Sequence, residues 1–294
     1  MKLKYHNNWR GNFGDDLNIP FFTDNFGDKL NETDKTIYGI GTLLNNVHGK
    51  IKDALIFGSG YGYGNTLDFD PKTVEVFGVR GPRTAEKLGY TDDSIVIGDP
   101  ALYVDKMERY RSLPAGKHKK VIALHHSTAE LFNYFNLQHD GYYFLDPGLE
   151  SIENYISVIK GADIVYTESL HGAIIAAVYG KPFVAISMIT TLEDKKWLDF
   201  YQSVGIDEFK VSNIHVNKIP FLRKATISAK ARRFFNPSKI GVSVSSESLE
   251  KTIADIENID LSSYIVRADG DKVTVLKNKI ATAIVELNNY LDNK

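Results

Sequence analysis

The stretch "TESLHGA" at residues 167–173 carries several side chains that could do chemistry. Glu168 could exchange a proton, and His171 would lie in the first turn of a helix, where it could contact an anion alongside backbone amides. Gly172 and the alanines near it would let that helix approach a sheet closely. One apolar run precedes the stretch and another follows it, which is the βαβ pattern. The plainer interpretation of His171 is a buried structural histidine.

Charged residues also follow two apolar runs in the first half of the chain. In "VRGPRT", Arg80 and Arg83 could hold a carboxylate or phosphate bidentately, and the alternative is a surface ion pair with a nearby acid. In "GDPAL", Asp99 could act as a general base, orient Arg80 or simply form a turn. These side chains suit an anionic ligand.

Two further turns carry glycine or histidine. "GNFGDDLN" has glycines around the start of a predicted helix, so its backbone could approach an anion or a sugar hydroxyl, or Asp15 could simply cap the helix. "ALHHST" offers His125 and His126, for which binding and structural roles are equally open. No other ligand spacing supports zinc, so we predict no metal site.

These turns need elements that bring them together. Apolar runs predict strands near residues 3–5, 36–40, 54–57, 74–79, 95–97, 121–124, 142–145, 164–166 and 183–186. Helical patterns lie between several of them, at 15–26, 82–88, 149–160, 170–179 and 192–204. Strands that are apolar on both faces and alternate with helices predict an α/β fold with a parallel, doubly wound sheet. Ligands bind at the carboxyl ends of such strands, where the polar turns lie.

The charged stretch "KMERYRSLPAGKHKK" divides the strands into two groups and predicts a domain junction. We therefore predict two Rossmann-like domains, residues 1–112 and 113–216, that face a cleft. Residues 217–294 predict a basic and helical C-terminal segment that packs on or across both domains. That segment is predicted to contain helices at 249–259 and 280–291 and a turn at 269–271.

Composition limits the class of protein. A chain of 294 residues with 43% hydrophobic residues can bury a large core, which argues against disorder. It has no cysteine, which excludes disulfides and thiolate metal sites and fits a reducing cytoplasm. The net charge of -2 argues against a nucleic-acid binder. No apolar run is long enough to span a membrane, and we expect no signal peptide.

Five motifs resemble those of the polysaccharide pyruvyl transferase family, in the order "GNFGDDLN", "GSGYGYG", "VRGPRTAEKLG", "DPAL" and "ESLHGAIIAAVYGKPFVAI". Each motif is short, but their common order and their positions at strand ends make the combined signal specific. "GSGYGYG" and the glutamate before "SLHGA" resemble the succinoglycan-type branch. The resemblance implies two Rossmann-like domains in a GT-B arrangement.

The resemblance also implies an activity. Such enzymes transfer the enolpyruvyl group of phosphoenolpyruvate to a sugar and close it into a ketal across two hydroxyls, with release of phosphate and without a cofactor. On this basis we predict catalytic roles for His171, Asp99, Glu168 and Asp15, and substrate-binding roles for Arg80, Arg83, Asn12, Gly14, His126, Ser169 and Gly172. Many members have arginine where this sequence has Ser169, which makes Arg80 more important for holding the donor.

The implied acceptor is a glycan or lipid-linked oligosaccharide of exopolysaccharide or cell-surface biosynthesis. Residues 218–239 combine basic and apolar side chains without an acidic one. They could contact anionic lipid, form a solvated face, or form a helix that crosses between the halves. We therefore predict a cytoplasmic protein, which lipid contact would place at the inner face of the membrane.

Two alternatives stay open at this point. A glycosyltransferase of the same architecture that uses a sugar nucleotide would usually show paired glutamates eight residues apart in its second half, and this sequence has no such pair. A non-catalytic homologue that binds glycans would keep the cleft without the chemistry, and release of phosphate with a suitable acceptor would exclude it.

Overall fold

The computed structural model describes residues 2–45, 49–62, 67–92, 94–133, 137–189, 192–214 and 242–293. Within these ranges the chain is a mixed α/β protein in which mostly parallel strands alternate with helices. The basic segment 218–239, for which the sequence predicts lipid contact or a solvated face, lies outside the described residues.

The elements follow one another as the alternating pattern predicts. In chain order the strands are β1 (Leu3–Lys4), β2 (Thr36–Tyr38), β3 (Gly41–Leu44), β4 (Ala54–Phe57), β5 (Ser59–Tyr61), β6 (Val74–Val79), β7 (Val96–Ile97), β8 (Lys120–Ala123), β9 (Phe132–Asn133), β10 (Gln138–His139), β11 (Tyr142–Leu145), β12 (Ile164–Thr167), β13 (Phe183–Ser187), β14 (Ser212–Asn213) and β15 (Val242–Ser243). The α-helices are α1 (Phe13–Asp16), α2 (Asn18–Phe26), α3 (Pro82–Leu88), α4 (Glu108–Arg111), α5 (His126–Leu131), α6 (Ile152–Gly161), α7 (Leu170–Val178), α8 (Asp194–Ser203), α9 (Ser246–Glu257), α10 (Leu261–Tyr264) and α11 (Gly270–Asp292). In the part of the chain that the structure describes, 3₁₀ helices cover Gly27–Asn31 and Pro100–Lys106.

The larger strands form two sheets. The first is entirely parallel, with the spatial order β1-β2-β4-β6-β7. The second has the order β10-β11-β8-β12-β13-β14 and is parallel except for β10. In the second sheet the chain goes from β8 to β11 on one side and then to β12 on the other. The strand order therefore reverses between β8 and β12, which is where doubly wound sheets open a crevice.

All nine predicted strands are present, but two predictions about helices and turns are wrong. The single helix predicted over 15–26 is two helices, α1 and α2, which are separated at Leu17. The stretch 269–271 is the start of α11 rather than a turn between strands. The Asp269 carboxylate accepts hydrogen bonds from the amides of Asp271 and Lys272, so this residue caps a helix that begins ten residues before the predicted start.

One apolar core joins the two sheets. It contains side chains from both halves of the chain, and the ring of Phe13 stacks on that of Tyr155 at 4.0 Å between centroids. Helix α11 packs on β6, β7 and α7, and its Ile280 and Leu287 are fully buried in this core. A second apolar cluster lies where α9 covers the other face of the second sheet.

In the described ranges, none of the helices combines the length and the apolar character that crossing a bilayer requires. Although α11 has 23 residues, charged side chains interrupt it throughout.

Candidate active site

The polar turns at the carboxyl ends of strands from both sheets surround one cavity of about 400 Å³. The described residues that line it are His6, Asn12, Asp15, Gly41, Thr42, Leu43, Asn45, His125, His126, Ser169, Leu170, His171 and Lys196. Two of its walls are the turns that follow β8 and β12, and the strand order of the second sheet reverses between these two strands. This is the position at which open α/β sheets bind ligands.

Helix α1 presents a carboxylate to the cavity. Asp15 Oδ2 accepts a hydrogen bond of 2.5 Å from Asn12 Nδ2, and the backbone amide of Asn12 donates to Asp16 Oδ2 at 2.8 Å. Burial raises the pKa of Asp15 to about 6, although the hydrogen bond from Asn12 and the nearby His6 and Lys196 oppose the rise. A carboxyl group with this pKa is ionised at neutral pH and can still accept a proton.

His171 lies in the first turn of α7, as the sequence predicts, and contacts α1. A Cβ on Gly14 would overlap with the imidazole ring of His171, so the glycine allows the two helices to meet. The His171 Nε2 is buried and has no hydrogen-bond partner among the described residues. Burial, together with the positive charges of Lys196 and Arg80, lowers the pKa of His171 to about 3. The imidazole is therefore neutral in the empty cavity.

The histidine pair after β8 forms a second wall. The rings of His125 and His126 lie 4.1 Å apart between centroids. Burial, followed by the neighbouring His126, lowers the pKa of His125 to about 3, and burial also lowers the pKa of His126. Both rings therefore offer neutral nitrogen atoms, which can donate or accept hydrogen bonds.

Glu168 holds the strand ends together from behind this wall. Its Oε2 accepts from the amide of His125 at 3.2 Å and its Oε1 from the amide of Met188 at 2.8 Å, so it links β12 to the ends of β8 and β13. The side chain is fully buried, and burial raises its pKa while the hydrogen bond from Met188 opposes the rise. Gly172 also supports the wall, because a Cβ there would lie 3.0 Å from that of Ala123.

Arg80 is near the cavity but is bonded within the protein. Its Nε donates to Asp199 Oδ2 at 3.0 Å, its Nη1 to Thr42 Oγ1 at 2.8 Å and its Nη2 to the carbonyl of Tyr61 at 2.5 Å. Asp199 also accepts from the amide and the hydroxyl of Thr84. Only 1% of Arg80 is exposed, so its charge acts on the cavity through space and through Thr42, which lines it.

Asp99 and Arg83 lie outside the described lining of the cavity. Asp99 is buried at the start of the 3₁₀ helix, where its Oδ1 accepts from the amide of Ala101 at 2.9 Å. Burial raises the pKa of Asp99 to about 6, against the effect of that hydrogen bond. Arg83 is on the exposed side of α3 and donates to Gln202 Oε1 at 3.1 Å. Of the predicted residues, the cavity thus gathers Asn12, Asp15, His126, Ser169 and His171.

Sequence reasoning missed Lys196 and His6, which also line the cavity. Lys196 belongs to the first turn of α8, which follows β13, and His6 follows β1. Both strands were predicted, so the rule that ligands meet the carboxyl ends of strands also points to these two turns. The polar sequence "LEDKK" in the turn after β13 carries the signal.

A buried ion pair fixes the turn before α1 to the second sheet. Arg10 Nη1 and Nη2 each donate to a different carboxylate oxygen of Asp146 at 2.6 Å, and both side chains are buried. The backbones of Gly11 and Gly148 meet beside it, because a Cβ on either would lie 2.6 Å from the carbonyl oxygen of the other. The turn before α1 is thereby held against the turn after β11.

Within the described ranges, the possible metal ligands do not form a metal site. No group of three or more His, Asp or Glu side chains there could hold a metal ion. The polar groups of the cavity instead suit a ligand with anionic oxygen atoms and hydroxyl groups, which amides, imidazoles and an ammonium group can bind.

Comparison with known proteins gives the family. Residues 11–188 match the family described as Polysaccharide pyruvyl transferase, and this range contains every cavity wall except the turns after β1 and β13. The chain therefore belongs to the polysaccharide pyruvyl transferase family, which makes it a transferase.

A curated relative indicates the branch of the family. The succinoglycan biosynthesis protein ExoV of Rhizobium meliloti (strain 1021) is 31% identical over 242 residues, which are 80% of this chain and 73% of that protein. The chain thus belongs to the succinoglycan branch, as the motifs "GSGYGYG" and "ESLHGA" predict.

Proposed function

We propose that the protein transfers the pyruvyl group of phosphoenolpyruvate to a sugar of an exopolysaccharide or cell-surface glycan, as a ketal. The observation that carries the proposal is the single cavity at which "GNFGDDLN" and "ESLHGA" meet, with Asp15 and His171 on its wall. Phosphoenolpyruvate carries roughly three negative charges near neutral pH, because its phosphate group loses its second proton near pH 6. Such a ligand needs hydrogen-bond donors and positive charge in a partly closed site, and the side chains of this cavity include both.

The first step would add a sugar hydroxyl to the enol carbon that bears the phosphate. The new bond joins the sugar oxygen to that carbon, and the methylene carbon gains a proton and becomes a methyl group. His171 is the proposed proton donor. Its imidazole is neutral without a ligand, but the negative charge of bound phosphoenolpyruvate would raise the pKa of His171 and favour its protonation.

A carboxylate would accept the proton of the attacking hydroxyl. Asp15 lines the cavity, whereas Asp99 and Glu168 do not, which supports Asp15 for this role; its pKa of about 6 lets it accept a proton at neutral pH. Those two carboxyl groups are buried and accept hydrogen bonds from backbone amides, so we propose that they position strand ends.

The second step would release phosphate and close the ketal. The bond between the central carbon and the phosphate oxygen breaks, and a neighbouring sugar hydroxyl adds to the same carbon with loss of its proton. The products are a cyclic ketal and inorganic phosphate, with no net change in oxidation state, so a redox cofactor has no role in the reaction.

We further propose that the two sheets represent Rossmann-like domains in a GT-B arrangement, residues 1–112 and 113–216. The mostly parallel strands and a cavity walled by turns from both sheets support this. The acceptor would be a glycan or a lipid-linked oligosaccharide, in keeping with the relative's role in succinoglycan biosynthesis. The protein would then be cytoplasmic, and a lipid-linked acceptor would bring it to the inner face of the membrane.

The test measures the melting temperature of the purified protein as phosphoenolpyruvate, UDP-glucose and inorganic phosphate are titrated separately. A ligand that binds only the folded state raises the melting temperature once its concentration exceeds the dissociation constant. We expect a rise with phosphoenolpyruvate that exceeds the rise with phosphate at equal concentration, and none with UDP-glucose.

The same titration distinguishes the alternative functions. A response to UDP-glucose alone would favour a glycosyltransferase and contradict the proposal. If phosphoenolpyruvate binds, release of phosphate in the presence of exopolysaccharide precursors would establish turnover, and its absence across a panel of such acceptors would favour a binding protein.

A further inference from the structure

The cavity contains a lysine whose role neither the family nor the sequence motifs assign. Among the described residues that line the cavity, Lys196 is the only lysine or arginine. Ser169, Asn12 and the histidines of the cavity can form hydrogen bonds, but the pKa values of His125, His126 and His171 are lowered, so these imidazoles are neutral without a ligand. A trianionic ligand in a partly buried site needs a positive charge, because burying an anion without compensation is costly.

We propose that Lys196 is the residue that binds the anionic end of the donor, through a charge-assisted hydrogen bond from its ammonium group. The inference rests on the proposed function, since it takes phosphoenolpyruvate to be the ligand. Lys196 would contact the phosphate or carboxylate directly, whereas the sequence assigns this contact to Arg80.

The placement of Arg80 supports this assignment. All three of its donating nitrogen atoms bond to Asp199, Thr42 and the Tyr61 carbonyl, and a Cβ on Gly60 would overlap with the guanidinium group. A ligand would have to displace these buried bonds to reach it. Lys196 lines the cavity in which the ligand would lie, and Arg80 does not.

Helix α8 holds Lys196 in place. Asp199 lies one turn further along the same helix, and its buried carboxylate accepts from Arg80 and Thr84 of the first sheet. The peptide of Asp199 also packs against Gly81, where a Cβ would overlap with its carbonyl oxygen. The helix that carries the lysine is thus anchored to the turn after β6 and to α3.

The charges around Lys196 make its protonation sensitive to pH. Burial and then Arg80 lower the pKa of Lys196 to about 8, whereas Glu193 and Asp15 oppose the change. The other ionisable groups facing the cavity are His6 after β1, His125 and His126 after β8, and His171 on α7. A protonated lysine attracts the donor and a neutral one does not, so donor affinity should fall as the pH rises through about 8.

The experiment measures the dissociation constant of phosphoenolpyruvate by isothermal titration calorimetry between pH 7.5 and 9.5. Across this range the charge of the ligand is constant, because its phosphate group ionises near pH 6. At pH 7.5, Lys196→Gln should weaken binding about 10- to 100-fold, the usual effect of losing a hydrogen bond to a charged group. Wild-type affinity should fall toward pH 9.5.

Two further variants sharpen the test. Lys196→Arg keeps the charge at every pH used, so it should bind at pH 7.5 and lose most of the pH dependence; any dependence that persists belongs to another group. Lys195→Gln removes the exposed neighbouring lysine and should bind as the wild type does. Circular dichroism of each variant without ligand checks that it folds.

The outcomes separate this inference from the proposed function. Wild-type binding that is unchanged in Lys196→Gln would overturn the role of Lys196 and leave the proposed function standing. An equal loss in Lys195→Gln would also overturn it, because general surface charge would then explain the effect. No binding of phosphoenolpyruvate to the wild type would contradict the proposed function, and this inference with it.

Discussion

At the scale of a residue, Asp15 is a group whose proposed catalytic role lowers the stability of the protein. The proposed reaction needs a carboxylate that can take a proton, but burial makes the charged form unfavourable and raises the pKa of Asp15 to about 6 from 3.8. The folded state therefore binds this proton more tightly than the unfolded state does. The contribution of Asp15 to the free energy of unfolding falls as the pH rises from about 4 to about 6 and stays low above that.

Asp15→Asn should remove the unfavourable burial of a charged carboxylate. At pH 8 the variant should unfold with a free energy about 1–3 kcal/mol higher than that of the wild type, and the difference should shrink toward zero near pH 4. Turnover should fall about 100-fold or more, the usual loss when a general base is removed. Urea denaturation at both pH values and phosphate release measure the two effects.

Asp28→Asn, which changes an exposed acid, is the matched control. If Asp15→Asn is no more stable than the wild type at pH 8, the argument is contradicted.

The residue types in the motifs predict much of the cavity, because polar side chains at strand ends have few other reasons to cluster. Asn12, Asp15 and His171 were found in this way. The sequence could not show that Arg80 is bonded to Asp199, since their positions differ by 119 residues and the pairing depends on how α8 packs. Lys196 is different, because it follows the predicted strand β13 and the strand-end rule already points to that position.

At the scale of elements, the cavity depends on the contact of α1 with the start of α7. Gly14 lies in α1, where its backbone has helical geometry, so alanine would suit the helix itself. The tertiary contact requires glycine, because any Cβ would overlap with the imidazole of His171. Here packing overrides local helix propensity.

Gly14→Ala should displace His171 and reduce turnover at least tenfold, while the α-helix content measured by circular dichroism stays unchanged. Gly270→Ala provides the control. That glycine is also in a helix, a Cβ added there would have no other atom within 4 Å, and alanine should leave activity at the wild-type level. Full activity in Gly14→Ala would show that α1 and α7 can separate without cost to the reaction.

The strands that the sequence predicted are those that lie in clear apolar runs. All nine were found, whereas β3, β5, β9, β10, β14 and β15 are short, have glycine or polar residues among them and carry no clear periodic signal. The first turns of α11 were missed because the stretch "DGDK" resembles a turn until the cap formed by Asp269 is known.

At the scale of the whole molecule, α11 belongs to the core. Lys277 bonds to Asp105 at 2.8 Å and to the carbonyl of Val178 at 3.2 Å, so the helix touches the 3₁₀ helix of the first half and the end of α7. The ring of Tyr290 meets that of Phe77 at 5.6 Å. The sequence predicted helices in this segment, but amphipathic periodicity alone does not indicate the surface they cover.

Leu287→Ala should lower the free energy of unfolding by about 2–5 kcal/mol, because Leu287 is fully buried and alanine would leave a cavity. Val285→Ala is the matched control on the same helix. Val285 is 57% exposed, so its loss should change stability by less than about 0.5 kcal/mol. Urea denaturation measures both. Equal effects in the two variants would contradict the view that this face of α11 is part of the core.

The position of α11 has a consequence for synthesis on the ribosome. The strands β6 and β7 and the helix α2 are made early, yet the helix that covers them is made after every strand of the second sheet. Until α11 emerges, the apolar face that it covers is open to solvent and to neighbouring chains. The first half therefore completes its folding last, although domains usually fold in the order in which they are made. Chaperones that shield apolar surfaces should bind the nascent chain throughout that interval.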